Sequence, residues 1–164
     1  MVWKDIISIL AREINVKIIL HELNFPSYGF RLRQRENRTE VFDEIRKKWL
    51  VCTPEEWVRQ HVLKWLIDDR EFPASNMGIE GGLKLNKLQK RTDIVAYKNG
   101  SPYLLVECKA PTVKITQKTF DQLFRYNAKI QAPLLMVSNG LHHVYARFDA
   151  DHNAVNFVKD LPKY

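Results

Sequence analysis

The spacing of apolar residues changes several times along the chain, and each change marks an expected element. Between residues 3 and 22, Ile6, Ile7, Leu10, Ile14 and Ile18 recur at helical intervals, although the run Asn15-Val16-Lys17-Ile18-Ile19 fits a strand equally well. Pro26 and Gly29 interrupt the pattern. Tyr28, Phe30 and Leu32 then alternate with Gly29, Arg31 and Arg33, as in a half-buried strand. Glu36-Asn37-Arg38 is a turn signal, and Val41 and Phe42 begin a return strand followed by Ile45, Trp49 and Leu50. Thr53-Pro54-Glu55-Glu56 reads as a helix start, with Thr53 as N-cap, Pro54 at the first helical position and Glu56 closing a capping box. Trp57, Val58, Val62, Trp65 and Leu66 supply the apolar face of that helix, which ends between Asp68 and Pro73. A strand weakened by Gly81-Gly82 is expected over residues 78–85, and stronger strands over 92–98 and 103–109 flank Asn99-Gly100. A second helix follows over 115–130, then a strand pair over 133–138 and 142–147 around Asn139-Gly140, and a short strand over 155–158.

The hairpin around Asn99-Gly100 carries the chemistry. With Asn99-Gly100-Ser101 as a three-residue loop, Lys98 faces Pro102, and counting back sets Asp93 opposite Glu107. Glu107 and Lys109 then share a face with Asp93, so two carboxylates and an ammonium converge at one strand end. A two-residue loop shifts that count by one and spoils it. The rest of the hairpin is apolar on both faces: Leu104, Val106, Ile94 and Ala96 on one, Leu105, Val95 and Tyr97 on the other. Such a strand belongs in a sheet covered on both sides, where adjacent acids are costly unless paired or metal-bound. Carboxylate oxygens suit hard cations such as Mg2+.

Composition narrows the setting. The 164 residues suit one globular domain, and a net charge of +7 favours a polyanionic partner. Two cysteines make no disulfide framework, which points to a reducing compartment such as the cytoplasm. No apolar run is long enough for a membrane span, and Lys4, Asp5, Arg12, Glu13 and Lys17 argue against a signal peptide. His142-His143 reads as structural, Cys108 as packed and unreactive, and the four tryptophans as core. The basic run Arg31, Arg33, Arg35 and Arg38 is either a solvated edge or a track for a phosphate backbone.

Asp93 followed by Glu107-Cys108-Lys109 resembles the PD-(D/E)XK nuclease signature, with Thr92 in place of the proline. Lys90–Val95, Leu105–Pro111, the QxxxY spacing of Gln122 and Tyr126, and Thr53–Gln60 resemble, more narrowly, the N-terminal nuclease domain of type I restriction enzyme R subunits. The similarity runs from about Asn24 to the C-terminus, which divides the chain into an extension over 1–23 and a nuclease-like domain over 24–164. It implies an α/β fold of the restriction-endonuclease type: a mixed central sheet flanked by helices, with an N-terminal helix or strand extension. It implies a Mg2+-dependent endonuclease, with Mn2+ as a substitute, acting on DNA phosphodiester bonds. Asp93, Glu107 and the Cys108 carbonyl would be the metal ligands, and Lys109 would position the attacking water or stabilise the transition state. Gln122 and Tyr126 would support the site or touch phosphates, and Glu55, rather than Glu56, would be the first-helix acid. Such subunits carry a motor, and this chain has no GxxxxGK[ST] phosphate loop. The alternative is therefore a nucleic-acid-binding module that is inactive alone or needs a separate translocase or specificity subunit.

Overall fold

The computed structural model describes residues 21–79, 92–149, 151 and 154–164. The expected helix or strand over residues 3–22 falls almost wholly outside the described residues. So does the part of the expected 78–85 strand beyond Ile79.

Two sheets and two helices make up the described chain. A small antiparallel sheet takes β1 (Leu32–Arg35), β2 (Arg38–Asp43) and β3 (Lys48–Val51) in that order. A six-stranded mixed sheet runs β4 (Met77–Ile79), β5 (Ile94–Lys98), β6 (Ser101–Cys108), β7 (Leu134–Ser138), β8 (His143–Phe148), β9 (Val155–Val158). Helix α1 (Pro54–Asp68) joins the two sheets, and α2 (Gln117–Ile130) makes the crossover between the parallel strands β6 and β7. No helix among the described residues is long and apolar enough to cross a membrane.

The large sheet is sandwiched because its central strands are apolar on both faces. Ile94, Ala96, Leu104, Val106 and Cys108 pack with Val58, Val62 and Leu66 of α1. Val95, Leu105, Leu135 and Val137 pack with Phe120 and Leu123 of α2. Each fully buried aliphatic side chain contributes about 1.5–3 kcal/mol, so the two layers hold β5, β6 and β7 rigidly behind the strand end that bears Glu107.

Two local expectations are corrected. The β5–β6 loop has two residues, because Asn99 (φ 52°) and Gly100 (φ 77°) both take the positive φ of a type I′ turn. Lys98 therefore faces Ser101. A bulge leaves Tyr103 unmatched between the pairs Tyr97–Pro102 and Ala96–Leu104, so Ile94 still meets Val106. The register count reaches Asp93 and Glu107 together after all, through a bulge in place of a longer loop. At the start of α1, Thr53 caps as expected, accepting the Glu56 N–H at 3.1 Å. Glu56 does not close a capping box: the Thr53 N–H donates to the Val51 carbonyl, and the Glu56 carboxylate turns to arginines. Of the residues that follow the return strand, Trp49 and Leu50 lie in β3 of the small sheet and Ile45 in the turn before it.

An N-terminal strap ties across these elements. The Asn24 N–H donates to the Gly140 carbonyl, and His143 Nε2 lies 2.9 Å from the Asn24 carbonyl. His143 Nδ1 lies 2.8 Å from Ser138 Oγ. With Nε2 donating to that carbonyl, Nδ1 accepts the serine hydroxyl proton, so this histidine is structural. Trp57 and Trp65 are buried, while Trp49 is half-buried on the outer face of the small sheet beneath the Arg33 guanidinium. Trp3 lies outside the described residues.

Candidate functional site

Asp93 sits one residue before β5, and Glu107 is the penultimate residue of β6. Beyond the Ile94–Val106 pair the ladder has ended at Asp93, so directed hydrogen bonds orient its side chain. One carboxylate oxygen accepts the Cys108 N–H at 2.6 Å. The other accepts Arg59 Nη2 of α1, also at 2.6 Å. Lys109 Nζ donates to Glu107 Oε1 at 2.6 Å, the two side chains leaving the same side of the chain two residues apart.

Glu55 completes an acidic cluster from the helix side. It lies 3.5 Å from Arg59 Nη2 and is partly exposed. Burial raises its carboxyl above the usual range, and the charge of Asp93 raises it further, against Lys109 and Arg59. Burial likewise pushes the Glu107 carboxyl up, with Asp93 and Glu55 adding to the effect and the Lys109 hydrogen bond opposing it. Burial alone would lower the Lys109 ammonium, but the hydrogen bond and charge of Glu107, with Glu55 and Asp93, raise it instead. Three carboxylates and one lysine thus feel each other's charge.

Glu56, the neighbour of Glu55, faces the other way. It is buried between Arg46 and Arg59, so Arg59 touches both adjacent acids while Glu55 alone is partly exposed. Cys108 is fully buried in the α1-side core, and burial holds its thiol well above the ordinary value, which keeps it unreactive. On α2, Gln122 is exposed, and Tyr126 packs against the layer containing Leu123 and Val137. They stand one helical turn apart beside exposed Lys118, Arg125 and Lys129. Among the described residues, no hydrogen bond joins either to Asp93, Glu107 or Lys109.

The donor set suits a hard cation. Mg2+ takes oxygen ligands and is commonly held by one or two carboxylates with water and phosphate oxygens completing the shell. Asp93 and Glu107 supply two carboxylates at one strand end, with Glu55 close by. Among the described residues, no three His, Cys, Asp or Glu side chains stand close enough to form a ready-made cage. Arg59 and Lys109 take up carboxylate oxygens that a cation would share.

Residues outside the sequence-level reading also shape the site. Arg59 is one helical turn from Glu55 and Glu56, a spacing that signals an ion pair but not its bond to Asp93. Arg46 and Asp43 carry no sequence signal of this kind.

Comparison with characterised proteins and with solved structures finds no significant match. The family model described as type I restriction enzyme R protein N terminus matches residues 54–162. That span takes in α1, the whole six-stranded sheet and α2, and leaves out the small sheet. It covers well over half of the 164 residues, and the chain therefore belongs to the family of the type I restriction enzyme R protein N terminus.

Proposed function

We propose that this chain is a Mg2+-dependent endonuclease module of the PD-(D/E)XK type, with a restriction-endonuclease-like fold, hydrolysing DNA phosphodiester bonds within a restriction system. Family membership suggests the restriction role and a nuclease. The observation that carries the chemistry is the convergence of Asp93, Glu107 and Lys109 at one end of the β5–β6 hairpin. Asp93, Glu107 and the Cys108 carbonyl would hold Mg2+ or Mn2+. The cation would supply charge stabilisation at a phosphoryl oxygen and a more acidic water. Lys109 Nζ, freed from Glu107, orients that water or offsets charge on the transition state. Glu55 adds the third carboxylate from α1. Gln122 and Tyr126, with the basic residues of α2, meet the phosphate backbone, and the net charge of +7 favours that partner.

A second reading has its own support. Arg59 and Lys109 already neutralise the acidic pair, as would suit a nucleic-acid-binding module that leaves turnover to a separate translocase or specificity subunit. Incubating the full chain with plasmid and single-stranded DNA in Mg2+, Mn2+ or EDTA separates the two. Cleavage that needs the cation supports the nuclease. Salt-sensitive DNA binding without cleavage under any of these conditions refutes an autonomous nuclease and leaves the binding module.

A further inference from the structure

Five charged side chains of alternating sign run from the small sheet to the candidate site. Asp43, at the end of β2, accepts Arg46 Nε at 2.8 Å, and the Ile45 and Arg46 N–H groups at 2.9 and 2.6 Å. Arg46 Nη2 donates to Glu56 Oε1 at 2.6 Å. The other Glu56 oxygen accepts Arg59 Nη1. Arg59 Nη2 donates to Asp93 at 2.6 Å. Gln60 braces the middle, its amide donating to Asp43 and to Glu56 at 2.8 Å each. None of the five charged side chains is more than 13% exposed.

We propose that Asp43, Arg46, Glu56 and Arg59 form an ionic relay that positions Asp93, making the small β1–β3 sheet a working part of the candidate site. Asp93 lies where the strand ladder has stopped, so its carboxylate is aimed by the two donors on its two oxygens. The Cys108 N–H is fixed by β6. Arg59 is a long side chain that would sample many rotamers, and Glu56 removes that freedom by holding the second nitrogen of the same planar fork. Arg46 and Gln60 fix Glu56, and Asp43 fixes both. Each link is a charge-assisted, directional bond away from bulk water, where such bonds are strong and transmit orientation. Partners of this kind behind a metal ligand typically govern affinity by about 10–100-fold. Asp43 and Arg46 lie outside residues 54–162, so the match to the family does not contain the far end of the relay.

This inference rests on the nuclease reading for its cation, and the experiment reads the two separately. Glu56→Gln keeps shape and one acceptor but removes the charge that holds Arg59. Two quantities are measured on the full chain, with circular dichroism to verify folding. One is the amide proton shift of Cys108, which reports its bond to Asp93. The other is the Kd for Mg2+ by calorimetry. The relay predicts an upfield move of the Cys108 amide and a Mg2+ Kd weakened about 10–100-fold. Both effects have one origin, since Arg59 released from Glu56 leaves Asp93 misaimed and more fully neutralised. If Glu56→Gln fails to fold, Arg46→Lys keeps the charge while losing the fork that spans Asp43 and Glu56, and should move the amide the same way. An unmoved Cys108 amide in a folded variant overturns the relay. An unchanged Kd overturns it as a determinant of cation affinity. A parent protein that binds no Mg2+, with the amide still shifting in the variant, overturns the metal reading and leaves the positioning intact.

Discussion

Lys109 Nζ donates to Glu107 Oε1 at 2.6 Å, so the lysine serves as counter-ion to the carboxylate beside it. A cation at the acidic cluster would take over that neutralisation and release the ammonium toward substrate. Lys109→Ala therefore keeps the fold and cation binding but should lose cleavage by about a hundredfold or more, as for other single electrostatic groups. Cleavage rates on plasmid DNA, with Mg2+ affinity measured alongside, check this. A variant that cuts as fast as the parent removes Lys109 from the mechanism.

Cation binding should stabilise the folded chain. At 100 times Kd the gain is about 2.7 kcal/mol, or roughly 5–10 °C in Tm for a domain of this size. Asp93→Asn should abolish most of the rise. The same rise in that variant would place the cation elsewhere on the protein.

Glu107 has a pH signature without any cation. Burial raises its carboxyl in the folded state, so the folded chain holds this proton to higher pH than the unfolded chain does. The stability contributed by the group is complete below the ordinary glutamate range and is lost as pH rises through the raised value. Glu107→Gln imitates the protonated form. Without divalent ions, it should melt above the parent at neutral pH and converge with it in acid. A lower Tm at neutral pH would mean that the Lys109 pair outweighs burial together with the charges of Asp93 and Glu55.

Gly140 tests the strap over the sheet end. Its φ is +82°, and an added Cβ would meet Leu23 Cδ2 at 2.6 Å and Val58 Cγ2 at 3.0 Å. Gly140→Ala should cost about 1–3 kcal/mol from the backbone alone, with the clash against the flexible Leu23 tip adding to it. Chemical denaturation measures this directly: a loss no greater than the backbone cost would show that the Leu23 tip gives way, and a neutral effect would refute the strain at Gly140.

The elements that local chemistry decides were legible in the chain. Thr53-Pro54 starts α1 because an N-cap oxygen and a ring-fixed φ favour that turn wherever they occur. Asn99-Gly100 reverses the hairpin because those residues tolerate positive φ. The double-sided apolar runs of β5 and β6 required cover on both faces, and α1 and α2 provide it. Glu107 and Lys109 were readable as same-face neighbours because strand alternation is a local rule, whereas the expected pairing of Asp93 with Glu107 assumed a three-residue loop and comes about through the bulge.

Tertiary structure decided what depends on residues distant in sequence. The bulge at Tyr103, which brings the two-residue turn back into register, is a packing outcome between two strands and has no signature in either. The Arg46 partner of Glu56 could not be read from its helix position, where capping was the local expectation. Its burial beside Arg46 and Arg59 makes ion pairing the stronger demand, because an unpaired buried carboxylate costs far more than a lost cap. The sequence by itself determined which groups could carry charge to the strand end. Only the fold, by closing the 50-residue separation between Asp43 and Asp93 through α1, decided which counter-charges would hold them there.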